Sequence, residues 1–166
     1  YYFQIESNGD IISLMDCKAE HQGIYGIIEL LKEKKNLAFK LIKASLGVGF
    51  YRAEYVESST YLLNGERYDE KHFIDKIHSL RGYLITEYLK PHEEFRKYCD
   101  KSVGCLRYII GRDLKGKIVD IYSFMRLGTN RSQYVENYNR GGVLTIIDSA
   151  GRYSYGNIID FDNNCN

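Results

Sequence analysis

The chain alternates short apolar blocks with turn residues. Residues 2–5 and 11–14 flank Ser7-Asn8-Gly9-Asp10, a spacing that predicts a hairpin turning through Asn-Gly. Ile24, Ile27, Ile28 and Leu31 then recur at helical spacing, with Lys32, Lys34 and Lys35 near the end where cations suit the helix dipole. Residues 37–42 and 50–56 read as strands joined by the loop Ala44-Ser45-Leu46-Gly47-Val48-Gly49. A second Asn-Gly hairpin follows over residues 61–68. Asp69 is placed to cap a helix whose apolar face is Phe73, Ile77 and Leu80, with Gly82 as its stop. Residues 83–89 form the next strand, halted by Pro91, and a short helix is expected around residues 93–98. Two long strands, 105–110 and 118–126, turn through Lys115-Gly116-Lys117. A last strand occupies 143–147. The pattern predicts an α+β fold with mostly antiparallel pairing.

Composition narrows the function classes. At 44% hydrophobic and 27% charged over 166 residues, the chain has enough apolar surface to offset its conformational entropy. A net charge of +1 argues against a dedicated nucleic-acid binder, and no apolar run is long enough for a membrane span. The four cysteines form no CxxC pair, which favours a reduced, cytoplasmic protein. His72 and His78 lie six apart on a predicted helix, so they face different directions and do not share a metal. The sixteen tyrosines mostly occupy positions where a half-buried strand takes an aromatic residue. Both ends read as cut, and the chain is expected to be an incomplete piece of a larger protein.

Several residues interrupt these patterns with chemistry. Lys40 sits inside an apolar strand and, with Phe39 and Leu41 turned to the core, points from the opposite face. The glycines of Ser45-Leu46-Gly47-Val48-Gly49 allow backbone N–H groups to approach an anion. No GKS or GKT follows, so this is not a P-loop. Arg107 and Arg126 interrupt or end apolar strands, and Arg forks bind phosphate or carboxylate oxygens in pairs. The segment 128–142 is rich in donors, including Asn137 and Arg140 ahead of Gly141-Gly142. It reads equally as a solvated loop or as an anion-binding or substrate loop.

In order, Phe39-Lys40 with Gly47 and Gly49, Ile85-Thr86-Glu87-Tyr88-Leu89, Leu106-Arg107, Met125-Arg126 and Asn137-x-x-Arg140-Gly141-Gly142 resemble the ATP-grasp family. The pieces TEYL, LRYI, SFMRLGT and NRGG are most similar to the sugar-transfer-associated ATP-grasp proteins of polysaccharide gene clusters. The N-x-x-RGG piece is also similar to ribosomal-protein glutamate ligases. The resemblance spans roughly residues 37–148. It implies an ATP-grasp-like α+β fold with a lid subdomain at 37–90, part of a large subdomain at 91–166, and a connecting hairpin and helix at 1–36.

The resemblance further implies ATP and Mg²⁺ as cofactors. Lys40 would reach the phosphates and the loop of Ser45, Gly47 and Gly49 would cover them. Glu87 and the backbone of Tyr88 and Leu89 would meet adenine, with His92 or Glu94 at the ribose. Arg107, Arg126, Asn137 and Arg140 would serve the reacting end. The activity implied joins a small-molecule or glycan-linked carboxylate to an amine through an acyl phosphate. No Glu-x-Asn follows Gly142, so the metal ligands are expected mostly outside the chain; Asp148, Asp160, Asp162 and Asn163 are the nearest oxygen donors. A non-catalytic module holding an anionic glycan or a partner protein is the alternative. Exposed sheet edges make a homo-oligomer possible.

Overall fold

The computed structural model describes residues 1–153 and 155–157. The chain divides into two units, one ending at Leu89 and the other beginning at Lys90.

In the first unit, the residues 1–36 and 37–89 share one seven-stranded sheet. Its strands are β1 (Phe3–Ile5), β2 (Ile11–Ser13), β3 (Asn36–Leu41), β4 (Tyr51–Val56), β5 (Thr60–Leu63), β6 (Glu66–Asp69) and β7 (Tyr83–Glu87). They are ordered β2-β1-β7-β3-β4-β5-β6, every pair antiparallel. Asn64 and Gly65 join β5 to β6 with φ of 52° and 87°, the two left-handed residues that a tight hairpin turn demands. Helix α1 (Gly23–Lys34) ends on Lys35, itself left-handed at φ 66°, whose N–H closes onto the Leu31 carbonyl. Helix α2 (Glu70–Ser79) starts where the sequence predicts: the Asp69 carboxylate accepts from the His72 N–H at 2.8 Å.

Both helices bury their apolar stripes on one face of this sheet. Ile27, Ile28 and Leu31 of α1 and Phe73 and Ile77 of α2 join Phe3, Leu37, Phe39, Tyr61 and Ile85 in one cluster. Strand alternation sends the intervening residues to the other face: Asn36, Ala38 and Lys40 of β3, Arg52 and Glu54 of β4, and Leu84 and Thr86 of β7. One face is therefore core, and the other is largely polar.

The second unit carries α3 (Glu93–Arg96) and a three-stranded meander of β8 (Cys105–Arg112), β9 (Ile118–Leu127) and β10 (Val143–Ile147), in the order β10-β9-β8. A bulge between Ile109 and Ile110 shifts the β8–β9 register. The buried hydrophobic cluster lies wholly in the first unit. In the second, Leu106, Tyr108, Ile110, Ile121, Tyr122 and Ile146 are all exposed. The architecture is mixed α+β with antiparallel sheets, and among the described residues no helix is long and apolar enough to cross a membrane.

Candidate functional site

Lys40 is exposed and carries no hydrogen bond or ion pair among the described residues, so its ammonium stands on the polar face of the first sheet. The loop after β3 begins two residues later. Leu46, Gly47 and Gly49 are left-handed there, with φ of 60°, 71° and 70°. Val48 N–H donates to the Ser45 carbonyl at 3.1 Å, which curls the loop back on itself. A Cβ on Gly49 would stand 3.0 Å from both Leu41 Cβ and the Tyr83 hydroxyl, so glycine lets this loop lie against the end of β3. Lys40 and the loop therefore share one end of β3, but the Gly49 end of the loop packs on Leu41 and Tyr83, the face opposite to Lys40.

Glu87 takes a different direction. It shares the face of Tyr83 and Ile85 on β7, opposite to Lys40 and Leu84. Its side chain lines a cleft of about 390 Å³ beside α1, with Tyr2, Asp16, Lys18, Glu33 and Lys34. Its carbonyl accepts from the Thr86 hydroxyl at 3.1 Å. Tyr88 is buried, and the Arg52 guanidinium lies 4.7 Å from its ring centroid. Arg52 also donates to Asn36 Oδ1 and pairs with Glu54 at 2.5 Å. This Asn36–Arg52–Glu54–Tyr88 cluster shapes the polar face, and sequence reasoning missed it. The signal was present in the alternation of Tyr51-Arg52-Ala53-Glu54, where Ala53 is the inward residue. Leu89 is exposed beyond it.

In the second unit, the His92 ring nitrogen Nδ1 accepts from the Glu94 N–H at 3.4 Å and caps α3. Glu94 lines a groove of about 750 Å³ whose floor is Met125, Leu127 and Val143, with Phe95 and Tyr98 along one side. Arg107 and Arg126 lie on the other face of the sheet. Register pairs Arg107 with Phe124 and Cys105 with Arg126, so the two arginines are diagonal cross-strand neighbours. Met125 and Leu127 point away from them. Arg107 is exposed and has no partner among the described residues. Arg126 is mostly buried, its Nη2 is ion-paired with Glu136, and its Nε makes no hydrogen bond among the described residues. Glu136 was not singled out in the sequence, because nothing local links it to a residue ten positions earlier.

The Asn137-x-x-Arg140-Gly141-Gly142 segment forms a closed turn. The Asn137 side chain accepts from Asn139 N–H at 2.9 Å, and its carbonyl accepts from the N–H groups of Arg140 and Gly142, both at 3.0 Å. Gly141 has φ of 89°, and Thr129 Oγ1 donates to its carbonyl at 2.7 Å. A Cβ on Gly142 would meet the Glu136 carbonyl oxygen at 2.5 Å. Both glycines therefore serve the loop's own closure. Arg140 is exposed at its tip.

Among the described residues no group of three His, Cys, Asp or Glu side chains comes together. The Asp148 carboxylate is taken up by the N–H groups of Ala150 and Arg152 and by Arg152 Nε, each at 2.9 Å. The Arg152 backbone bond, chief among these, holds Asp148 below the usual carboxylate range. Asp160, Asp162 and Asn163 lie outside the described residues. No family model, curated protein or solved structure matches the chain.

Proposed function

We propose that the chain carries the ATP-binding core of an ATP-grasp-type carboxylate–amine ligase, acting through an acyl phosphate in polysaccharide or cell-envelope biosynthesis. The observation that carries this reading is the cations that each unit presents on its own sheet. Lys40 stands free on a core-free sheet face, next to the strand end from which a glycine loop departs, and Arg107 and Arg126 share one face of the second sheet. Cations of this kind neutralise phosphate and carboxylate oxygens, which is the main catalytic device in phosphoryl transfer.

ATP would supply the phosphoryl group that activates the carboxylate, and the amine would then displace phosphate. In this reading the Lys40 ammonium holds phosphate oxygens as a point charge, and the Ser45–Gly47–Gly49 loop excludes water above them. Adenine is read by the backbone of Tyr88 and Leu89, since the Glu87 side chain lies on the opposite sheet face from Lys40. Arg107 orients the carboxylate, and Arg126, steadied by Glu136, neutralises the charge that builds on it. Asn137 and Arg140 lie on the loop that carries Glu136. The partners are a small-molecule or glycan-linked carboxylate and an amine.

Calorimetry of the full chain with Mg·ATP tests the reading. Wild type is expected to bind, and Lys40→Ala to weaken binding about tenfold or more, the loss of one charge-assisted contact. Equal affinity of the two, or no binding by either, would overturn it.

A further inference from the structure

The face of β9 that bears Arg126 continues outward as two aromatic rings. Tyr122, Phe124 and Arg126 are alternate residues and share that face, which spans about 13 Å from the first to the last. The Tyr122 and Phe124 rings are stacked, with centroids 5.8 Å apart and planes 19° from parallel. Tyr122 is 53% exposed, so the row is open to solvent at its far end. Arg107 lies directly across from Phe124 in the β8–β9 pairing and next to Tyr122 on the diagonal. Of the two arginines on this face, Arg126 already has a carboxylate partner in Glu136 and Arg107 has none among the described residues.

We infer that this face binds a carboxylate carried on a six-membered ring. The planar guanidinium of Arg107 takes the two carboxylate oxygens in parallel hydrogen bonds. The ring then lies against the outward side of Tyr122, which Phe124 backs with its own ring. Either an aryl ring or the C–H face of a sugar ring presents the matching surface. The strand spacing sets the distance: a carboxylate at Arg107 leaves its ring over the aromatic pair and its far end toward solvent beyond Tyr122. A short aliphatic acid would reach Arg107 but leave the aromatic pair uncovered. This names the class of the carboxylate substrate and rests on the proposed function only for what happens to that carboxylate after binding.

The test is a titration of the full chain, followed by NMR of the tyrosine and phenylalanine ring resonances, with and without a non-hydrolysable ATP analogue. Four probes separate the contributions. Glucuronate and benzoate each carry a carboxylate on a ring. Acetate has the carboxylate alone, and methyl glucoside has a ring without the charge. At least one ring acid is expected to bind about tenfold or more tighter than acetate and methyl glucoside, the scale of one ring contact added to one ionic contact. The better of the two ring acids identifies the source as sugar or aryl. Tyr122→Ala should reduce that acid to the level of acetate, and Arg107→Gln to the level of methyl glucoside. Both positions are exposed, and Tyr122→Leu, which keeps apolar bulk without a ring, guards against a folding artefact and should also lose the preference. Acetate binding as well as both ring acids, variants that bind like wild type, or silence from all four probes in both conditions would overturn the inference. Mg·ATP binding that depends on Lys40 would survive each of those results, so the two readings fail separately.

Discussion

Tyr61→Phe probes how the core holds α2 against the sheet that carries Lys40. The Tyr61 ring is fully buried and stacks on Phe73 at 4.7 Å, so phenylalanine keeps the packing and removes only the hydroxyl. That hydroxyl donates to Glu70 Oε2 at 2.6 Å, and Lys32 Nζ donates to the same oxygen at 2.9 Å. A hydrogen bond to a charged acceptor is worth about 1.5–3 kcal/mol. The Glu70 side chain is 39% exposed and keeps Lys32 and water, which brings the expected loss at pH 7 to about 1 kcal/mol.

The pH dependence gives the sign. The Tyr61 hydroxyl, and after it Lys32, holds the Glu70 carboxyl below its usual value. This stabilisation is complete above the unfolded carboxylate value and fades as pH falls through the lower folded one, so the wild-type advantage shrinks in acid. Burial first, and the bond to Glu70 second, pushes Tyr61 up to about 12. The folded state then keeps its phenolic proton while the unfolded chain loses it from about pH 10. Wild type therefore loses stability between those values and the variant does not, and the two curves should cross near about pH 11. Urea unfolding followed by circular dichroism from pH 3 to 11 measures this. A difference that stays flat across that range would refute the Tyr61–Glu70 bond.

Two further substitutions test the packing within each unit. Gly142→Ala should destabilise the loop by about 1–3 kcal/mol, because its Cβ would press on the Glu136 carbonyl oxygen. Faster amide exchange at Arg140 and Gly142 without any ligand would report it, and unchanged exchange would count against the loop geometry. Phe73→Ala removes a fully buried ring between Tyr61 and Tyr68 and should cost about 3–5 kcal/mol in urea unfolding. A loss under about 1 kcal/mol would mean that α2 does not pack as described.

Local chemistry was readable along the chain because it acts over a few residues. Asn64-Gly65 specifies its own turn, Asp69 supplies its own cap, and the alternation around Phe39 sends Lys40 to the face away from the core. The strand boundaries fell within two residues of those expected, the widest differences being β8, which runs on to Arg112, and β7, which stops at Glu87. Motif order alone suggested that Glu87 and Lys40 serve one ligand, yet strand pairing sets their side chains on opposite faces. The paired glycines illustrate the same limit. Donor-rich composition read equally as a solvated or a ligand loop, whereas the left-handed φ at 141 and the contacts with Arg131, Glu136 and Asn137 show what requires glycine at 141 and 142.

The sequence by itself determined the α+β class, the turns and caps, and the residues able to meet an anion, because propensity and alternation are properties of neighbours. Only the tertiary structure decided which of those residues meet. Arg107 and Arg126 lie nineteen positions apart and share a face solely through the register of β8 on β9. Glu136 reaches Arg126 only because the loop after β9 folds back. Register and loop closure depend on pairing between distant segments, and a shift of one residue would reverse every face.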